Sequence, residues 1–388
     1  MNAGHPFDAV VEADLRRRRS VKWSKYPADV LPAFVAEMDF PAAPAIQRVL
    51  AAAVADSDYG YAPNAGEMGL LDAVAAWMQR VFRWSVDPAS IVAMNDVVNG
   101  LDIGVRAFSE PGGEVIVTPP VYPPFLNTPI DNARVRREVP LLAQPDGSWK
   151  MDLDGIDAAM AGGAKVMLLC HPHNPTGTVW TAETLDGLAA LADRHGAWIV
   201  SDEIHAPLTF PGHTHIPLAS RSAMAAARTL TLTSASKAWS LPGLKCAAMI
   251  AGSDEVMARV MALPRRTRSG IGSFGEFAML AAITEGQTWL DDVVAYLDGN
   301  RRWLTGALPD GIGYRPPDAT YLCWLDCRSL GLEPDPYTFF LDQAKVAMNP
   351  GADFGEAFGG FVRLNIATSR PLLARIVDRM AAALPRRR

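Results

Sequence analysis

Four short polar segments carry the side chains that could do chemistry, and each follows an apolar, β-branched run. Glu114-Val-Ile-Val-Thr118 leads into Pro119-Pro-Val-Tyr-Pro-Pro124, and Ala164-Lys-Val-Met-Leu-Leu-Cys170 into His171-Pro-His-Asn-Pro-Thr-Gly177. Ala197-Trp-Ile-Val-Ser201 is followed by Asp202-Glu-Ile-His205, and Thr229-Leu-Thr-Leu-Thr-Ser234 by Ala235-Ser-Lys237. An aromatic ring, an amide, an acid and a lysine thus stand at the ends of four runs. Runs of this kind read as strands buried on both faces. A sheet of parallel strands binds its ligands beyond the strands' carboxyl ends, so the four segments are expected on one rim.

That set of side chains suits a particular chemistry. A lysine in a desolvated place gives up its proton and becomes a nucleophile toward carbonyls. An aldehyde cofactor bonded to Lys237 as a Schiff base becomes an electron sink. For pyridoxal 5′-phosphate (PLP) the sink works best with a protonated ring nitrogen, and Asp202 is the candidate anion for it. Tyr122 can stack on the ring face, and Asn174 can donate to the phenolic oxygen. Ser234, Ser236 and Lys245 offer hydroxyls and a cation for the phosphate.

On these motifs the sequence resembles the fold-type I PLP enzymes of the aminotransferase class I/II group. The matching residues are Asn174-Pro-Thr-Gly177, Asp202, Ser234-Ala-Ser-Lys237, Lys245, and Arg363 within Phe361-Val-Arg-Leu-Asn-Ile-Ala-Thr-Ser-Arg370. A finer resemblance is to the MalY/PatB-type carbon–sulfur β-lyases. It rests on Ser20-Val-Lys-Trp23, Val35-Ala-Glu-Met-Asp-Phe40, Pro120-Val-Tyr-Pro-Pro-Phe125, Ser201-Asp-Glu-Ile-His205 and His215-Ile-Pro-Leu-Ala-Ser220.

The resemblance implies a role for each site residue. Lys237 carries the cofactor and acts as base, Asp202 pairs with the ring nitrogen, and Tyr122 stacks on the ring. Asn174, with His205 nearby, bonds the ring-oxygen side. Arg363 forks onto the substrate carboxylate, a bidentate task that lysine does poorly. The backbone N–H groups of Val97 and Val98 join the phosphate cradle. Tyr61, in Gly60-Tyr-Ala-Pro-Asn-Ala-Gly66, reaches the phosphate in the neighbouring subunit, which implies a homodimer with shared active sites. Asp39 either contacts substrate or caps a turn before Pro41. The implied reaction is β-elimination from cysteine S-conjugates such as cystathionine, giving a thiol, pyruvate and ammonia. An aminotransferase built on the same residues is the alternative.

Two positions depart from the pattern. Asn95-Asp-Val-Val98 stands where the family usually has Gly-Val-Val before the cradle helix, so Asp96 puts an acid where glycine lets an anion approach. It can serve instead as a helix N-cap. Lys245 replaces the arginine of many aminotransferases with a point charge.

The elements that position these residues follow from the pattern. Ala182 to Arg194 reads as a helix between two strands, and strand–helix–strand with a right-handed crossover implies a mostly parallel sheet. The resemblance makes this a fold-type I PLP-dependent transferase: an α/β fold with a large domain, its mostly parallel sheet flanked by helices, and a smaller α/β domain. The expected division is an N-terminal segment 1–45 packing on the small domain, a large PLP-binding domain 46–285, and a small C-terminal domain 286–388. A helix around Thr288 to Leu308 opens the last part, followed by strands in Ala319–Leu325 and Gly360–Asn365.

Composition excludes other classes. The 388 residues are 49% hydrophobic and 20% charged, which is ordinary for a globular chain. A net charge of −6 disfavours general binding to nucleic acid or anionic membranes. No apolar run is long enough for a membrane span and the N-terminus has no apolar signal core. Four cysteines are too few for a disulfide framework, so a reducing, cytoplasmic compartment is expected, and the resemblance implies a small amino acid as substrate. The pairs His171/His173 and His213/His215 lack further ligands at diagnostic spacing, so no metal site is expected.

Overall fold

In the computed structural model, which describes residues 5–61 and 68–385, the apolar runs assemble into one seven-stranded sheet. Its strands are β1 (Ile91–Met94), β2 (Glu114–Val117), β3 (Val135–Glu138), β4 (Val166–Cys170), β5 (Trp198–Asp202), β6 (Thr229–Thr233) and β7 (Ala247–Ala251). Their spatial order is β1-β7-β6-β5-β4-β2-β3, and every pairing is parallel except those of β7. Because β6, β5, β4 and β2 are consecutive neighbours, the four polar segments emerge side by side. Register reinforces this, since Cys170 lies opposite Asp202 and Asp202 opposite Leu232.

Both faces of the sheet are covered, as continuous apolar strands require. Val166, Leu168 and Cys170 pack with helix α1 (Val97–Phe108), whereas Met167 and Leu169 face helix α3 (Ala182–His195). Helix α2 (Pro123–Asp131) follows Tyr122. Thr181 caps α3 by accepting from the Thr184 N–H at 3.2 Å, and Gly196 ends the helix at φ 59°.

Helix α1 lies unusually close to the sheet. A Cβ on Gly104 would stand 2.5 Å from Cγ2 of Val200 in β5. Gly104→Val is therefore expected to lower stability by about 2–3 kcal/mol through overpacking, read as a lower denaturant midpoint.

The C-terminal part forms an antiparallel sheet of β8 (Gly313–Tyr314), β9 (Leu322–Asp326), β10 (Asn349–Pro350) and β11 (Phe361–Asn365), in the order β8-β9-β11-β10. Helices α4 (Ser273–Glu285) and α5 (Gln287–Ala307) lead into it, and α6 (Arg370–Ala383) follows it. Arg363 sits in the middle of β11, opposite Trp324.

The N-terminal segment is fastened to both parts of the chain. Leu31–Pro32 pairs in parallel with Val346–Ala347, and Phe7 packs against Phe40, Trp289 and Tyr296. Asn365 donates through Nδ2 to the carbonyls of Val35 (2.7 Å) and Glu37 (2.8 Å). From the other side, the Met38 N–H donates to Ser240 Oγ at 2.9 Å. Ala36 is thus held between the two parts. Among the described residues no helix is long and apolar enough to cross a membrane.

Candidate active site

A cavity of about 510 Å³ opens at the carboxyl end of the large sheet. Its wall includes Tyr122 after β2, Asn174 after β4, Asp202 and His205 at the end of β5, and Ser236 and Lys237 after β6. The first turn of α1 contributes Asp96, Val97 and Val98, and Lys245 closes the side next to it.

The electrostatics of Lys237 and Asp202 follow from burial. Lys237 is half-buried on the cavity wall, and desolvation, reinforced by the Arg363 charge, pushes its ammonium down to about 8. Its Nζ donates to the Ala36 carbonyl at 3.2 Å, which also accepts from the Tyr321 hydroxyl at 3.0 Å. Desolvation likewise pushes the Asp202 carboxyl up to about 7, against the pull of the Ile204 N–H (3.1 Å) and the Lys237 charge. A buried acid so poorly supplied with donors fits a cationic ring nitrogen. The nearby lysine, at the edge of deprotonation, fits an aldehyde.

His205 is also buried on the wall. Burial, with the Lys237 and Arg363 charges adding to it, lowers its imidazole to about 3, and Nδ1 has no partner among the described residues. A neutral ring there is free to bond a cofactor oxygen. Tyr122 is held by its own N–H, which donates to the Asn174 carbonyl at 3.0 Å. Asp96 caps α1, accepting from the Asn99 N–H at 2.9 Å, and its other oxygen takes Lys245 Nζ at 2.9 Å.

Arg363 sits against Asn174 and is not itself on the cavity wall. Nη1 donates to Asn174 Oδ1 at 3.0 Å, and Nη2 to Asn349 Oδ1 at 2.7 Å and the Phe34 carbonyl at 3.3 Å. Nε is buried without a partner among the described residues, a donor fitted to an incoming carboxylate. Burial lowers the guanidinium only to about 10, so it stays charged at neutral pH. Arg363→Lys cannot serve three acceptors and a carboxylate, and it is expected to raise KM for an amino-acid substrate about 10²-fold with a smaller change in kcat. Steady-state kinetics reads both.

Three sequence candidates lie elsewhere. Ser234 is not on the wall: its hydroxyl donates to the Cys246 carbonyl at 2.7 Å and accepts from the Ser236 N–H at 3.0 Å, so it builds the turn that presents Ser236 and Lys237. Asp39 is off the wall as well, bound to Lys22 at 2.9 Å and to Trp23 Nε1 at 2.7 Å in a fully buried pair. Lys22 needs that countercharge, which leaves Asp39 no oxygen turned to a ligand. Tyr61 is completely exposed at the surface, and residues 62–67 of its motif lie outside the described residues.

Residues 35–380 match the family model described as aminotransferase class I and II. The chain belongs to this family. It is 37% identical to a cystathionine beta-lyase of Corynebacterium glutamicum, over 96% of this chain and 98% of that one. It is 36% identical to the cystathionine beta-lyase PatB of Bacillus subtilis, over 94% and 97%. The crystal structure of cystalysin from Treponema denticola, which contains a pyridoxal 5′-phosphate cofactor, superposes with a TM-score of 0.91 at 26% identity, covering 98% of this chain and 99% of that one.

This member of the aminotransferase class I and II family also brings to the cavity residues that sequence reasoning did not single out. Ala36 acts through its carbonyl, Tyr321 shares that acceptor, and Asn349 and Asn365 hold Arg363 and the N-terminal strap. A backbone oxygen leaves no mark in residue type. A second buried polar group lies behind the site: Glu203 accepts from His215 (2.8 Å), Ser201 (2.8 Å) and the Leu218 N–H (3.1 Å), and His171 stacks on His215. Among the described residues no group of three or more His, Cys, Asp or Glu is arranged to hold a metal ion.

Proposed function

We propose that this chain is a PLP-dependent carbon–sulfur β-lyase that converts cystathionine or another cysteine S-conjugate and water into a thiol, pyruvate and ammonia. The observation that carries it is the meeting of Lys237 and Asp202 on one buried wall. The relatives named cystathionine beta-lyase favour elimination over amino transfer.

When bound, the cofactor supplies an electron sink for the charge left at Cα. Lys237 would hold its aldehyde carbon, Asp202 its ring nitrogen, Tyr122 its face, and Ser236, Lys245 and the first N–H groups of α1 its phosphate. Arg363 fixes the substrate carboxylate with its free Nε and a rearranged fork, setting the direction of the Cα–H bond. Lys237, released from the aldehyde carbon when the substrate amine takes its place, would then be free to take the Cα proton, and burial beside the Arg363 charge favours its neutral form. Asp202 keeps the ring-nitrogen proton in place, and neutral His205 donates or accepts without adding charge. The thiolate leaves from Cβ.

The same residues serve an aminotransferase if Lys237 returns the proton to the cofactor instead of letting Cβ lose sulfur. Incubation with cystathionine and no keto acid decides between them. Pyruvate and free thiol in equal amounts support the lyase, and turnover only with an added keto acid reverses the assignment.

The working form is proposed to be a cytoplasmic homodimer with shared sites. Exposed Tyr59 and Tyr61, and exposed Val98 at the start of α1, support a partner surface, and four buried free cysteines suit a reducing compartment.

A further inference from the structure

The acid that opens α1 has no step in the elimination, yet it stands among the groups a phosphate would use. Four donors meet there: the Ser236 hydroxyl, the Lys245 ammonium, and the first backbone N–H groups of α1 at Val97 and Val98, with Asn99 behind them. Helix N-termini favour anions because those N–H groups lack partners within the helix. Here a side chain of the protein has already taken part of that supply. Asp96 Oδ1 binds the Asn99 N–H, and Oδ2 binds Lys245. Burial alone would raise the carboxyl, but the Asn99 N–H and Lys245 hold it below the usual carboxylate range, so it is ionised at neutral pH.

We propose that Asp96 is an internal competitor for the cofactor's phosphate, a residue that weakens PLP binding by placing a fixed negative charge within the phosphate's own donor set. The inference rests on the proposed PLP chemistry and goes further, assigning this chain a looser grip on the phosphate than its cradle would otherwise give. A phosphate drawing on Lys245 and on the first turn of α1 must share both with a carboxylate. Two like charges drawing on one cation repel, and the cation's attraction is divided between them. Neither cost depends on the aldehyde or the ring, so the effect belongs to the phosphate alone.

The substitution Asp96→Asn separates charge from capping, because asparagine caps a helix as well as aspartate does. The Asp96→Asn chain is expected to bind PLP about tenfold more tightly than the unsubstituted chain. Titration of the full-length, cofactor-depleted protein, followed by the absorbance of the Lys237 adduct, gives the Kd. Pyridoxal, which lacks the phosphate, is the control and is expected to bind both proteins equally. Asp96→Ser, which also retains a cap, is expected to behave as Asp96→Asn does, and circular dichroism checks that each folds.

Unchanged or weaker PLP binding in the folded variants overturns the proposal, because it would make Asp96 a support for Lys245 instead of a rival to the phosphate. Equal tightening of PLP and pyridoxal overturns it too, since the effect would then not act on the phosphate. Failure of both variants to fold makes Asp96 structural and ends the idea. If the unsubstituted chain forms no adduct with PLP at all, the proposed function itself falls, and the competitor role falls with it.

Discussion

Lys237→Ala is expected to abolish turnover, lowering kcat by about 10⁴ or more, while leaving the fold at least as stable as before. The two halves have separate causes. Activity fails because no other lysine on the cavity wall stands beside Asp202. Lys245 is held by Asp96 at 2.9 Å beside the first turn of α1 and is more than half exposed. Stability does not fall because the native lysine is a burden to the folded chain. Its folded value, about 8, lies below the ordinary 10.5. A base lowered in this way costs stability at every pH where the unfolded chain carries the proton. That cost is full below about pH 8 and fades as pH rises toward 10.5.

Removing the ammonium leaves the Ala36 carbonyl with the Tyr321 hydroxyl as donor, so no acceptor is orphaned. The variant is expected to melt no lower than the parent at pH 7 and to show no covalent adduct band with PLP. A Lys237→Ala protein with more than a hundredth of the parent's pyruvate production would remove Lys237 from the mechanism.

Much of the site was legible because its side chains sit at the ends of strands whose composition announces them. β4, β5 and β6 are runs of apolar or β-branched residues buried on both faces, so their ends could be placed on one rim from the chain alone. Two of the strands that escaped notice have other compositions. β7 is Ala247-Ala-Met-Ile-Ala251, and alanine is no β-former, so only its neighbours β1 and β6 make it a strand. β3, Val135-Arg-Arg-Glu138, is a mostly exposed edge whose charges protect it from further pairing. The antiparallel insertion of β7 follows from the turn through Lys245, which returns the chain beside β6 and presents the cation to the cavity.

Ser234 and Asp39 stand off the cavity wall for a related reason. Motif membership brings a residue near a site but does not say which way its oxygen turns. Ser234 faces its own turn, and Asp39 neutralises Lys22 inside the N-terminal segment. What the segment contributes to the site is the Ala36 carbonyl, positioned by Asn365 through its bonds to the flanking carbonyls of Val35 and Glu37. That contact depends on tertiary folding, and no local pattern carries it.

Asp202→Asn is expected to do opposite things to activity and to the stability of the cofactor-free chain. Without a carboxylate the ring nitrogen loses its countercharge, and kcat is expected to fall by about 10³. Without its cofactor, the parent chain must keep a carboxyl that titrates near 7 in the fold and near 3.8 when unfolded. A group raised in this way supports the fold fully below about pH 3.8, and that support is lost as pH rises through 7. The loss is on the order of 4 kcal/mol by pH 8.

Asparagine has no such titration, and its side-chain oxygen can still accept from the Ile204 N–H. Glu203, also raised to about 7 by burial, contributes the same trend to both proteins, so only their difference bears on residue 202. Denaturant unfolding of the cofactor-free proteins at pH 5 and pH 8 measures that difference. The variant is expected to gain on the parent between the two, and loading the parent with PLP is expected to narrow the gap by giving Asp202 a positive partner. Parallel pH dependences would mean that Asp202 is already charged and satisfied in the fold, and that the protein is not holding an uncompensated acid ready for a cation.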